Sequence, residues 1–140
     1  MMIFLMRAML VLSIAGCNSS SQLASNREVA YQAFSAADTA FESKQYQEAK
    51  DQFTQAIDSG GLIIDVYIDA VIKRAVCSAT MDDFAAAHAD LDKMEQGAPN
   101  LDEVLAARSY VLSKQGKKKA AKAAWTKAKR INRRVKSFEE

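Results

Sequence analysis

The fold of this 140-residue chain is decided by residues 46–56, YQEAKDQFTQA, whose apolar side chains recur at the spacing of one helical face. Two later stretches repeat the same order of an aromatic residue, a small residue, a large residue and an apolar residue, with a lysine replacing the aromatic in the last. The copies begin 38 and then 34 residues apart. Their positions are Tyr46, Ala49, Phe53 and Ala56; Phe84, Ala87, Leu91 and Met94; and Lys118, Ala121, Trp125 and Ala128.

The composition favours helices throughout the chain. Alanine, the residue with the best helix propensity, is abundant, whereas the chain has only 1 proline and 5 glycines. No alternating apolar run is bounded by turn residues, so we predict no sheet. The predicted helices are residues 27–43, 46–59, 65–80, about 83–96, 101–115 and 117–136, with Asn26 and Asp82 as N-caps of the first and fourth, and four extra residues around 62–66 as a longer loop or an extra turn on helix three.

A helix-turn-helix unit with a period near 34 and this small-and-large pattern resembles the tetratricopeptide repeat family, over about residues 27–135. Ala37, Ala75 and Ser109 stand where that family packs a glycine, and Pro99 stands at its closing proline. The resemblance implies an all-α, right-handed superhelical stack of about three repeats with a basic C-terminal helix. The alternative is a generic helical bundle with chance spacing. The expected domain is 27–136, with repeats at about 30–63, 68–101 and 102–135 and a tail at 137–140.

The same resemblance implies a groove that is built by the first helix of each unit and binds peptide segments or partner helices. The residues expected to face this groove are Tyr31, Phe34, Asp38, Phe41, Asp69, Ile72, Val76, Glu103, Ala106 and Tyr110. This mixed apolar and acidic surface would suit a segment with apolar anchors and some positive charge. The alternative is that Phe34, Ile72 and Val76 are core residues.

Residues 1–16 are almost entirely apolar, with one charge at Arg7, which predicts a secretory signal peptide. The initiator is Met1 or Met6. The stretch 14–17, IAGC, resembles the lipobox of bacterial lipoproteins, which implies cleavage before Cys17 and acyl chains, palmitate among them, on that residue. Residues 17–26 would then be a lipidated linker. The absence of an aspartate after Cys17 points to the outer membrane and the periplasm, and the alternative is an ordinary cysteine after a signal or anchor.

Charge is divided unevenly along the chain. Residues 114–136 hold eleven Lys or Arg and no acid, whereas residues 28–103 hold fifteen acids and five basic residues. The last helix is interpreted as a solvated capping face, as a contact with anionic lipid headgroups, as a nucleic-acid surface on which Trp125 stacks, or as a contact for an acidic protein. Its basic residues are Lys117, Lys118, Lys119, Lys122, Lys129, Arg130, Arg133 and Arg134.

No constellation of residues points to catalysis, to a metal or to a cofactor. His88 is the only histidine, Asp82 and Asp83 are typical of helix caps, and Cys77 is expected to be a small buried residue. We therefore expect a non-enzymatic scaffold lipoprotein, which mediates protein–protein interactions in the bacterial envelope. The alternative is a cytoplasmic or membrane-associated repeat protein that binds RNA or other anionic partners through its last helix. A regulator or enzyme has no supporting residues.

Overall fold

The computed structural model describes residues 19–139, and side chains from residue 21 onward. Over that range the chain is all α-helical, which confirms the predicted class and the absence of a sheet in this part of the chain. The predicted signal peptide and Cys17 lie outside the described residues. The helices are α1 (Ser19–Glu42), α2 (Tyr46–Asp58), α3 (Ile64–Thr80), α4 (Phe84–Glu95), α5 (Leu101–Lys114) and α6 (Lys118–Ile131).

The helices pair into three hairpins, and the same turn closes each hairpin. A residue with a left-handed backbone lies two residues after the end of the first helix, and the second helix begins two residues after that residue. In the first turn the Gln45 N–H donates to the Ala40 carbonyl at 2.8 Å, and the equivalent bonds in the other turns are both 2.9 Å. This is the Schellman arrangement, which satisfies carbonyls left open at a helix end. The left-handed residues are Lys44, Asp82 and Gly116, with φ of 60°, 63° and 76°.

The repeated pattern packs the second helix of each hairpin against the first. Phe53 and Leu91, the large residues of the first two copies, are fully buried. The Phe53 ring centroid lies 6.3 Å from that of Phe41 on α1, in an edge-on contact. Trp125 is half-buried against the third hairpin, and Lys118 is exposed. The pattern therefore supplies the core, which is its predicted role.

Small residues allow the paired helices to approach closely. Ala37 and Ala75 have no exposed surface, as their place at the family's glycine position predicts. In the third hairpin the Ser109 hydroxyl donates to the Ala121 carbonyl at 2.9 Å and so joins α5 to α6. A buried hydroxyl with a carbonyl partner costs little, because its hydrogen bond is kept.

The hairpins follow one another in chain order. Helix α2 packs against α3 and α4 against α5, while α3 also packs against α5 and, over a smaller area, against α1. The first helices α1, α3 and α5 are therefore neighbours. Because α3 has helices on both sides, its residues are the most extensively buried, and they form the centre of the core.

The extra residues of the second period lie mainly in a helix. The loops between hairpins, 59–63 and 96–100, have equal length. Helix α3 has 17 residues and α5 has 14, so the extra turn is on α3. Of the two predicted places for the insertion, the extra turn is the one observed.

Helix α1 begins at Ser19, eight residues before the predicted start at Arg27. The prediction of an N-cap at Asn26 is wrong, and the described segment before it is helical rather than a flexible linker. The loop after α2 supports this part of the helix. Gly61 lies so close that a Cβ there would be 2.6 Å from the Arg27 Cα. The sequence did not predict this extension, because its side chains are mostly small and polar, which is typical of a linker.

Helix α6 ends at Ile131, five residues before the predicted end at Lys136, because Asn132 adopts an extended backbone with φ −137° and ψ 109°. The chain then returns along the third hairpin. The Asn132 amide donates to Asp102 Oδ2 at 2.8 Å, and Val135 is buried. The segment 132–139, called the tail below, therefore covers the outer side of the last hairpin.

The N-cap of α4 is Asp83, so the predicted N-cap at Asp82 is wrong. The turn geometry explains the difference. Asp82 occupies the left-handed position, and Asp83 Oδ1 accepts a hydrogen bond from the Ala86 N–H at 3.2 Å. The Lys50 ammonium lies 2.8 Å from Asp83 Oδ2. This hydrogen bond, and then that of Ala86, hold the pKa of Asp83 below its ordinary value.

Candidate binding surfaces

The face along α1, α3 and α5 carries the ten residues predicted to line a groove. Half-buried among them are Tyr31, Phe34, Asp38, Phe41 and Asp69, and Glu103 is exposed. Buried among them are Ile72, Val76, Ala106 and Tyr110. Ile72 and Val76 are only 1% and 3% exposed, so they are core residues, which was the alternative to a place in the groove. Helix α3 has apolar neighbours on two sides, and this is why its groove positions are covered.

Two of the three acidic residues of this face, Asp38 and Asp69, are paired with a lysine within the protein. The Lys73 ammonium lies 2.7 Å from Asp38 Oδ1 on α1 and 2.9 Å from Asp69 Oδ2 on its own helix. It also lies 5.5 Å from the centroid of the Phe34 ring. Burial alone would lower the pKa of Lys73, but the hydrogen bonds and charges of the two aspartates outweigh burial and raise it. Both carboxylates are thus already engaged by a cation.

A pocket of about 560 Å³ opens at the end of the bundle where the hairpin turns lie. The Thr80 and Tyr110 hydroxyls are 2.8 Å apart in its wall, which joins the ends of α3 and α5. The Lys114 ammonium lies 5.4 Å from the centroid of the Tyr110 ring. We call this the turn pocket. It is lined by Lys44, Tyr46, Thr80, Tyr110, Ser113, Lys114 and Glu139.

The tail reaches the turn pocket. The Lys129 ammonium donates to the carbonyls of Arg133 and Val135, each at 2.9 Å, which fixes the start of the tail. Phe138 packs against the core of the second and third hairpins, and Glu139 lines the pocket. Of the residues predicted for the groove, only Tyr110 lines this pocket. The other lining residues were not predicted, because the tail and the turns carry no repeat pattern.

A network of hydrogen bonds at His88 joins α4 to α5. The Arg108 guanidinium donates to His88 Nδ1 at 2.8 Å, so His88 Nε2 carries the proton and donates to Gln115 Oε1 at 3.0 Å. Arg108 also binds Asp92 at 2.6 Å and Glu95 at 2.8 Å. Both ring nitrogens of His88 are engaged, so this histidine acts as a structural link between the helices.

A second, more deeply buried ion pair joins α3 to α4. Arg74 binds both oxygens of Asp90, at 2.8 and 2.7 Å, and its Nη1 lies 3.4 Å from the Thr54 hydroxyl of α2. Burial lowers the pKa of Arg74, but the hydrogen bonds and charge of Asp90 raise it above its ordinary value. Bidentate geometry fixes the guanidinium as well as attracting it. Three helices therefore meet at one charged pair.

The predicted basic surface is on the outside of the third hairpin. Seven of its eight residues are exposed, and Lys129 is half-buried. The Lys129 ammonium stands 4.8 Å from the centroid of the Trp125 ring, while Trp125 also packs against the α5–α6 core. One side of the indole is thus occupied by a cation of the same chain.

Three further features are the cysteine on α3, possible metal ligands and the hydropathy of the helices. Cys77 is fully buried, as predicted, and burial raises the pKa of its thiol to about 12. Within residues 19–139 no cluster of three or more His, Cys, Asp or Glu is arranged to hold a metal ion. None of the helices in that range has the length and hydropathy needed to cross a bilayer.

No protein-family model, curated protein or solved structure matches this chain.

Proposed function

We propose that this protein is a lipid-anchored scaffold of the tetratricopeptide repeat type, which binds segments of other proteins in the bacterial envelope and catalyses no reaction. The observation that carries the proposal is the recurrence of one turn in three hairpins whose first helices are neighbours. In such an array each unit adds to a shared binding face. The proposed superhelix is right-handed, as in the family that the pattern resembles.

The anchor in this proposal is Cys17. The stretch 14–17 follows an apolar segment at the depth of a lipoprotein signal, and several acyl chains on one cysteine would hold the protein stably, since one chain alone binds only marginally. Asn18 supports transfer to the outer membrane, with the domain in the periplasm.

The binding site in this proposal is the turn pocket together with the adjoining face. Two lysines and two tyrosines line the pocket, and Glu139 of the tail already lies among them. A partner segment with an aromatic and an acidic residue would match this lining and compete with the tail. The positively charged partner expected from the sequence receives less support, because Asp38 and Asp69 are paired with Lys73.

Membrane fractionation of a Cys17→Ser variant tests the anchor. We expect the variant in the soluble fraction, and we expect the intact mass of the unaltered protein to equal the chain from residue 17 plus acyl groups. Cys77→Ala is the matched control, because Cys77 is buried and should leave the membrane fraction unchanged. A protein that is uncut and soluble in both forms would exclude the anchor.

A peptide of residues 132–140 tests the pocket. We expect a variant that ends at Val135 to bind this peptide, and Lys114→Glu to weaken binding at least about tenfold, which corresponds to about 1.4 kcal/mol. Lys93→Glu, on the exposed side of α4, is the control. Equal binding by the Lys114 and Lys93 variants would remove the pocket from the proposal.

The alternative of an RNA-binding protein is supported by the exposed basic residues. It is weakened by Trp125, which is half-buried and covered by Lys129, whereas strand binding needs free aromatic faces. Binding of single-stranded RNA that persists at 150 mM salt would favour it.

A further inference from the structure

The antiparallel hairpins give the bundle two different ends. Three turns lie at one end. At the other end are the start of α1, the two loops between hairpins and the end of α6, and we call this the loop end. Gly61 touches the α1 backbone at Arg27, and the Asn132 amide binds Asp102 at the start of α5. The first loop thus lies against the start of α1, and the end of α6 lies against the start of α5.

Exposed apolar side chains are concentrated at the loop end. Among residues 21–139, five large hydrophobic side chains are exposed, and four of them lie here. Leu23 is 69% exposed in the first turns of α1, Ile63 and Ile64 are 51% and 64% exposed before and at the start of α3, and Ile131 is 56% exposed at the end of α6. Contact with water is unfavourable for these side chains relative to burial.

Basic residues accompany the apolar ones. Arg130, Arg133 and Arg134 are exposed around the end of α6, and Arg27 is exposed where the loop crosses α1. Apolar side chains flanked by arginine are typical of surfaces that bind the boundary between acyl chains and anionic headgroups. Exposed acids lie at the same end, so the attraction to an anionic surface is confined to the three arginines at the end of α6. These acids are Glu28, Asp58, Asp65, Glu95 and Glu103.

The chain itself determines what covers this end. Helix α1 begins at Ser19, two residues after Cys17. Two residues reach at most about 7 Å. With Cys17 acylated, as proposed above, the loop end is the end of the bundle nearer to the bilayer, and residues 19–26 of α1 span about 12 Å between Cys17 and the loop at Gly61.

We infer that the loop end is a membrane-contacting surface, in which Ile63, Ile64 and Ile131 enter the boundary of an anionic phospholipid bilayer and the arginines near α6 contact its phosphates. The inference rests on the proposed lipid anchor. It orients the protein, because the turn pocket then faces away from the membrane at a distance of roughly 20 Å, the length of a 14-residue helix.

Fluorescence quenching in vesicles tests this inference. The acylated full-length protein is reconstituted in phosphatidylethanolamine and phosphatidylglycerol vesicles that contain spin-labelled lipid. A dye is placed on Ile64→Cys or on Ile131→Cys, with Ser113→Cys in the turn pocket as the matched control. Cys77 does not compete for the dye, because it is buried.

We expect quenching at positions 64 and 131 to exceed that at 113 at least about threefold, since such side chains lie about 5–10 Å into the interface. Equal quenching at all three positions overturns the inference. Intact mass separates the two failures: acylated protein with equal quenching contradicts only the membrane surface, whereas unacylated protein contradicts the anchor as well. Two label positions at the loop end keep the test decisive if one variant misfolds.

Discussion

The two ends of the bundle differ in how strictly their geometry is specified. At the turn end the same three-residue connection occurs three times, with the same hydrogen bond across it. At the loop end the connections have equal length, but they hold different residues, with the exposed Ile63 in one and a proline in the other. Turns that close a hairpin must satisfy backbone groups in one way, whereas the longer loops are free to carry surface chemistry.

The largest expected effect comes from the buried ion pair between α3 and α4, which lies midway between the two ends. Asp90→Ala leaves Arg74 buried without its partner, and we expect unfolding free energy to fall by about 3–5 kcal/mol in urea. The control is Asp92→Ala on the same helix, whose side chain is 66% exposed, and we expect a loss below about 1 kcal/mol. Similar losses in the two variants would contradict the role of the buried pair.

The next effect separates the two loops at the loop end. Gly61→Ala would place a Cβ against the α1 backbone, so we expect a loss of about 1–3 kcal/mol and faster amide exchange in the first turns of α1. Gly97→Ala is the matched control, because nothing lies within 4 Å of a Cβ there. A neutral Gly61 variant would show that the loop does not support the start of α1.

At the turn end a substitution should stabilise the protein. Asp82 has a φ of 63°, which glycine adopts without strain, so Asp82→Gly should raise the free energy of unfolding by about 0.5–1 kcal/mol. Lys44→Gly should do the same in the first turn, where φ is 60°. Destabilisation by either change would mean that the side chain, rather than the backbone, determines that turn.

The smallest effect is a pH dependence at Asp83. Its pKa is lowered in the folded protein, so its contribution to stability is complete above the ordinary value of 3.8 and is lost as pH falls below that value. Asp83→Asn should therefore reduce the loss of stability between pH 5 and pH 2.5. The difference should stay under about 1 kcal/mol, because the group is exposed and screened. Urea midpoints at each pH measure it, and parallel curves would contradict the assignment.

Sequence alone predicted the helices best where one apolar face dominates. Each second helix carries apolar residues at helical spacing. Phe53, Leu91 and Ala121 belong to these sets, and their burial follows from that pattern. The buried residues of the first helices were harder to predict, because α3 is apolar on more than one side. Periodicity could not assign Ile72 and Val76 to the core rather than to a groove.

The tail and the start of α1 could not be predicted for a different reason. Val135 and Phe138 are isolated apolar residues in a polar segment, so no period indicates that they pack against the last hairpin. Leu23 likewise follows three serines and a glutamine, a composition typical of linkers. The tail is held by contacts with distant parts of the chain, and such contacts leave no local pattern.

We propose that one end of the molecule meets lipid and that the other meets protein. Site-specific photocrosslinking in intact cells tests it most directly, with the crosslinker at Ile64 in one variant and at Ser113 in the other. We expect a discrete protein adduct from position 113, lost with Lys114→Glu, and lipid adducts without a protein adduct from position 64. A protein adduct from position 64, with none from position 113, would rule out this orientation.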